Sequence, residues 1–161
     1  MYLKKVIFVC LGNICRSPSA EGVMQHLVKE NGLDTLIFVD SAGTAAYHTG
    51  ERADSRMRKH ASQRGYDLTS IARKFNPKKD FNEYDYIIAM DNDNYNNLLS
   101  FDVDKKYRDK IFRMVEFCRN VQADEVPDPY YGGGEGFELV IDILEDACAG
   151  LLERIKNDLG K

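Results

Sequence analysis

Val6-Ile7-Phe8-Val9-Cys10-Leu11-Gly12-Asn13-Ile14-Cys15-Arg16-Ser17-Pro18-Ser19 reads as a strand, a tight loop and the opening of a helix, with no residue to spare between them. The apolar, β-branched run ends in Cys10, and a helical pattern begins after Arg16-Ser17-Pro18. Such a turn aims consecutive backbone N–H groups at one point before the helix N-terminus, where the macrodipole also favours negative charge. Gly12 and Asn13 are residue types that tolerate φ > 0, which suits a loop that must curl its amides inward. Cys10 stands at the lip of this concavity, and Arg16 can reach back over it with a planar fork. Amides and guanidinium together would hold a tetrahedral dianion. The same positive surroundings are expected to keep Cys10 as thiolate, the nucleophilic form. A phosphate monoester held there would present its phosphorus to sulfur. Ser17 is the expected N-cap of the helix, with Pro18 in its first turn.

Outward from this stretch, strands and helices alternate. Residues 36–39, Leu-Ile-Phe-Val, form a second strand about 30 residues after the first, the spacing of a β-α-β unit. Residues 41–44 are expected to leave that strand as a loop on the same edge as Cys10. Residues 54–63 read as a charged, solvent-facing helix, and residues 76–80 as polar turns. A third strand over 84–90 delivers Asp91 and Asn94 to the same carboxyl edge, where ligands sit in parallel sheets. A short helix over 92–99 and a fourth strand over 110–115 follow. Residues 126–136 are the most turn-rich segment, with Pro127 and Pro129 fixing the backbone and four glycines loosening it. Phe137, Val140, Ile141, Leu144, Cys148, Leu151, Leu152, Ile155 and Leu159 then recur at helical spacing, so the chain closes with a long amphipathic helix. The expected fold class is α/β: a single domain over residues 1–161, in three layers. Its sheet is small and parallel, with about four strands and helices on both faces, and the anion-binding loop joins the first strand to the first helix.

Composition narrows the function. With 161 residues the chain can build a sizeable core. A formal net charge of −4 gives no global electrostatic case for nucleic acid or an anionic membrane, so any cations for an anionic ligand must be local. Cys10, Cys15, Cys118 and Cys148 show no C-x-x-C pair and read as reduced thiols, with Cys118 and Cys148 as small core residues. The apolar run after Lys4-Lys5 is too short for a signal peptide, and no stretch is long enough to span a bilayer. A cytoplasmic location is expected. His26, His48 and His60 have no metal spacing and are assigned to the surface; neither metal nor cofactor is expected.

The loop C-L-G-N-I-C-R-S-P resembles the signature loop of the low-molecular-weight protein tyrosine phosphatases, a C-x5-R-S loop close to the chain start. Asp40-Ser-Ala-Gly-Thr44, Met90-Asp-Asn-Asp-Asn94 and Asp128-Pro-Tyr-Tyr131 fall in the order and rough spacing of that family, so the resemblance covers essentially the whole chain. It implies hydrolysis of phosphotyrosine, or of a small aryl phosphate, through a phosphocysteine on Cys10. Arg16 would bind the phosphate and Asp128 act as general acid and base, a role that typically contributes about 10²–10⁴-fold. Leu11, Gly12, Asn13, Ile14, Cys15 and Ser17 would form the substrate loop, with Ser17 also hydrogen-bonding the thiolate. Tyr47, Tyr130 and Tyr131 would wall a deep slot that phosphoserine cannot reach across. Ser41, Asp91 and Asn94 are expected to support the loop, Ser41 through a bond to Asn13. The family also carries the Cys10–Cys15 pair, which could form a reversible disulfide under peroxide.

One departure stands out. Where the family often has a histidine shortly before an Ala-Arg pair, this chain reads Thr69-Ser70-Ile71-Ala72-Arg73, and Ser70 cannot supply that charge to the Ser17 network. Other activities fit less well. An arsenate reductase needs a downstream cysteine relay, and residues 71–99 contain no cysteine. Protein-arginine phosphatases of this fold carry Thr where Ile14 stands. A non-catalytic phosphopeptide-binding or redox module would not require Cys10, Arg16 and Asp128 together.

Overall fold

The computed structural model describes residues 1–130 and 132–160. Strands β1 (Lys4–Cys10), β2 (Ile37–Gly43), β3 (Tyr86–Ala89) and β4 (Ile111–Arg113) form one parallel sheet in the order β2-β1-β3-β4. Val6, Ile7, Phe8 and Val9 of β1 are wholly buried, as a central strand covered on both faces must be. Helices α1 (Arg16–Glu30) and α5 (Gly134–Asp158) cover one face, packing Val23, Met24, Val140 and Leu144 against Val6 and Phe8. On the other face, Phe81 of α3 (Asp80–Glu83) and Leu98 of α4 (Asn92–Phe101) pack with Phe75 against Ile7 and Val9. A third cluster joins Met57 and Ala61 of α2 (Ser55–Gln63) to Phe137 and Ile141 of α5 and to Ile14 and Cys15 of the loop after β1. The expected parallel, helix-flanked sheet is therefore present. Strand order reverses direction between β1 and β3, and the carboxyl ends of strands at such a switch point open the crevice in which ligands sit.

Several boundaries differ from the expectation, each for a physical reason. Strand β2 continues through Gly43, because residues 40–43 pair in register with Ile7–Cys10 although Asp40 and Ser41 read as turn residues. Helix α1 begins at Arg16 with Cys15 as its N-cap, not Ser17, whose hydroxyl is drawn to Cys10 and Asn13 instead. Residues 80–83 are a helical turn rather than a polar turn, held by the buried Asp80 carboxylate, which accepts from Arg73 Nη1 (2.9 Å) and the Asn76 amide (2.7 Å). Strand β4 has three residues: Met114 dives into the core and starts a 3₁₀ turn over Met114–Phe117, with Glu116 accepting the Arg113 amide at 2.6 Å. Helix α5 takes in Gly134 and Gly136, which the sequence reads as turn. Glycine is tolerated in a first helical turn, where the leading amides have no intrahelical partner to lose.

Candidate active site

The loop between β1 and α1 is built by main-chain bonds to its neighbours. The carbonyls of Cys10, Leu11 and Ile14 accept from the amides of Thr44 (2.9 Å), Ala45 (3.0 Å) and Asp54 (2.8 Å). Among the described residues, the amides of residues 11–15 have no acceptor. Unpartnered amides gathered at the α1 N-terminus can serve as a cradle for an anion. The left-handed position is Asn13, at φ 59°; Gly12 does not adopt positive φ, contrary to expectation. Gly12 packs under His48, since a Cβ there would lie 2.9 Å from His48 Cδ2 and would move that ring.

The turn at Asn13 swings its side chain behind the loop. Its Nδ2 donates to Ser17 Oγ (2.8 Å) and Ser41 Oγ (2.9 Å), and its Oδ1 accepts the Arg73 amide (3.0 Å). With Asn13 donating to it, Ser17 Oγ keeps its own proton for Cys10 Sγ at 3.0 Å or the Ala42 carbonyl at 3.4 Å. Ser41 in turn donates to Glu21 Oε1 at 2.5 Å. The expected Asn13–Ser41 bond is thus present. The side chains of Asn13 and Ser17, however, are buried behind the cleft instead of lining it, because they are consumed in this network.

Cys10, Leu11, Gly12, Ile14, Cys15 and Arg16 line a cleft of about 130 Å³, whose rim is completed by Tyr47, His48, Asp128 and Tyr130. The Arg16 side chain, 3% exposed, donates from Nη1 to Asp91 Oδ2 (2.6 Å) and the Val126 carbonyl (3.1 Å), while its Nη2 lies 3.7 Å from Asp128 Oδ2. Burial alone would ease its deprotonation, but Cys10 and Asp91 outweigh burial and hold the guanidinium above its usual pKa. Burial pushes the Cys15 thiol well up, helped by Asp54 and by Cys10 itself, so Cys15 is a poor thiolate. Cys10 and Cys15 are both buried and both unpaired.

Asp128 is the exposed member of the set, and its Oδ1 accepts the Tyr130 amide at 3.0 Å. Asp91 caps α4 through the Asn94 amide (2.7 Å) while holding Arg16. Asn94 contributes only that amide; its buried Oδ1 has no partner among the described residues. Tyr47 is 74% exposed at the rim, and Tyr131 lies outside the described residues.

Sequence reading missed four groups. His48, assigned to the surface, packs on Gly12 at the rim, held by Glu51 at 2.8 Å. Glu21 faces the interior from α1. Arg73 and Val126 act through main-chain atoms, for which residue type carries no signal. Ser70, by contrast, makes no side-chain hydrogen bond among the described residues.

A doubly covered parallel sheet with an amide-lined loop after its first strand defines an α/β protein built to bind an oxyanion. The sequence model of one family, described as low molecular weight phosphotyrosine protein phosphatase, matches residues 5–161. A putative low molecular weight protein-tyrosine-phosphatase of Synechocystis is 48% identical over 155 residues, covering 96% of this chain and 98% of its own. A crystal structure of a protein tyrosine phosphatase from Entamoeba histolytica, with Hepes in its active site, superposes with a TM-score of 0.91 at 54% identity over 98% of both chains. A Drosophila arginine phosphatase superposes with a TM-score of 0.87 at 31% identity, over 94% of this chain and 98% of its own. The chain belongs to the low molecular weight protein-tyrosine-phosphatase family, whose members are hydrolases acting on phosphotyrosine.

Proposed function

We propose that this chain, as one catalytic domain over residues 1–161, hydrolyses protein phosphotyrosine and small aryl phosphates through Cys10, Arg16 and Asp128. The observation that carries the reading is that Asp128, from a loop late in the chain, meets Cys10 and Arg16 at one cleft beside a ring of unpaired amides. The dianion would lie in the amide cradle under the Arg16 fork. Cys10 Sγ attacks phosphorus, an S–P bond forms and the P–O bond to the ring breaks, while Asp128 gives its proton to the departing phenolic oxygen. Water then attacks phosphorus, Asp128 takes its proton, and the S–P bond breaks to release phosphate and the thiolate. Ser17 Oγ supports that departure by donating to the sulfur.

Specificity for an aryl ester follows from the walls. Tyr47 and Tyr130 line the cleft and would flank a ring, and apolar Ile14 lies on the cleft where arginine phosphatases of this fold carry Thr. Four unpaired cysteines favour a reducing, cytoplasmic setting. No helix among the described residues is long and apolar enough to cross a membrane. A panel of phosphotyrosine, phosphoserine and phosphoarginine peptides tests the reading on wild type and Cys10→Ser. Release of phosphate from phosphotyrosine alone, abolished in Cys10→Ser, is expected. Preference for phosphoarginine would replace the substrate class, and activity surviving in Cys10→Ser would remove the mechanism.

A further inference from the structure

We propose that Arg56 is a positioning residue for Asp128: its guanidinium pins the carbonyl of Tyr130 to the first turn of α2 and so sets where the Asp128 carboxylate stands over Cys10. The inference rests on Asp128 being the general acid. The loop carrying Asp128 is rich in prolines and glycines, and besides the buried Pro129 and the Arg16–Asp128 pair it is held by attachments on either side. On the near side the Val126 amide donates to Met90 O (2.8 Å), and Val126 O accepts from Arg16 (3.1 Å). On the far side Arg56 Nη2 donates to Tyr130 O at 3.0 Å, and the guanidinium carbon lies 5.4 Å from the Tyr130 ring centre and 5.0 Å from that of Phe137. Tyr130 then donates its amide to Asp128 Oδ1.

Arg56 is itself held. Asp54 receives it through a fork, Nε to Oδ1 at 3.2 Å and Nη2 to Oδ2 at 2.9 Å. The same carboxylate caps α2 by accepting the Arg56 and Met57 amides, at 2.8 and 3.3 Å. The Asp54 amide donates to Ile14 O of the anion cradle. One helical turn therefore grips both halves of the site, the cradle through the Asp54 amide and the acid loop through Arg56. An exposed ion pair contributes little stability by itself. What this one contributes is geometry, and an acid displaced by about an ångström loses much of its effect.

The test compares kcat/KM for phenyl phosphate, whose leaving group needs a proton, with that for p-nitrophenyl phosphate, whose leaving group needs it far less. Asp128→Ala should lose much more on phenyl phosphate; equal losses would remove the acid assignment and this inference with it. Given that result, Arg56→Ala should lose about tenfold on phenyl phosphate, a fraction of what general acid catalysis contributes, and about twofold on p-nitrophenyl phosphate. Added to Asp128→Ala, it should cost no further selectivity. Arg56→Lys keeps the charge but lacks the planar fork, and should show the same selective loss while melting near wild type. Equal losses on both substrates, additive selectivity in the double variant, or full activity in Arg56→Lys would each overturn the role of Arg56 while leaving Asp128 as the acid.

Discussion

Glu21 is a buried carboxyl in the hydrogen-bond network behind the cradle. It sits on α1 and accepts from Ser41 Oγ and from Gln25 Nε2 at 3.2 Å. Burial is the main cause that pushes its carboxyl up to about 7 from the usual 4.5, reinforced by Asp40 and opposed by the Ser41 and Gln25 bonds and by Arg73. Between those two values the folded chain keeps a proton that the unfolded chain has lost. Stability from this site is therefore full below about pH 4.5, falls as pH rises towards 7, and changes no further above that. Glu21→Gln removes the titration while keeping an acceptor for Ser41. Urea melts should show the variant gaining on wild type from pH 5 to pH 8, by up to about 3 kcal/mol. A constant difference across that range would mean that Glu21 is not buried as a neutral acid.

The elements show where sequence pattern carries information and where it stops. Strand β1 and the spacing from Cys10 to Arg16 were legible, because an unbroken apolar run followed by a tight strand-to-helix turn has few other readings. Ser17 at the cap and Gly12 at positive φ were misplaced, since both rest on local propensity and here tertiary hydrogen bonds decide. Strand β4 was read too long because Met114 and Val115 continue an apolar run that the backbone abandons for a 3₁₀ turn. Arg56 was invisible, because its partner is a main-chain carbonyl 74 residues away. Gly150, within α5, has a role that sequence pattern does not show: a Cβ there would lie 1.9 Å from Phe117 O. Gly150→Ala must push α5 off the Met114–Phe117 turn. The cost should be about 3 kcal/mol, read as a melting temperature lowered by roughly 10 °C with kcat/KM unchanged well below the transition. An unchanged melting temperature would show that the contact is not close in solution.

At the scale of the molecule, the sheet order brings together groups from four places in the chain. Cys10 ends β1 and Arg16 opens α1, Asp91 follows β3, and Asp128 stands before α5. A net charge of −4 is no obstacle to binding a dianion, because the cations and amides that matter are gathered at one switch point. Helix α2, which carries Arg56, is fastened to α5 just beyond its end, where Arg64 pairs with Glu138 (2.7 Å), Asp142 (2.8 Å) and Glu145 (2.8 Å). The cradle, the acid loop and the helix between them thus form one connected frame around a single sulfur. Rapid acid quench during turnover of a radiolabelled phosphotyrosine peptide, followed by proteolysis and mass spectrometry, asks directly whether phosphorus passes through that atom. Label on the peptide containing Cys10, absent from Cys10→Ser, is the predicted result. Full turnover with no label on Cys10 would contradict the account.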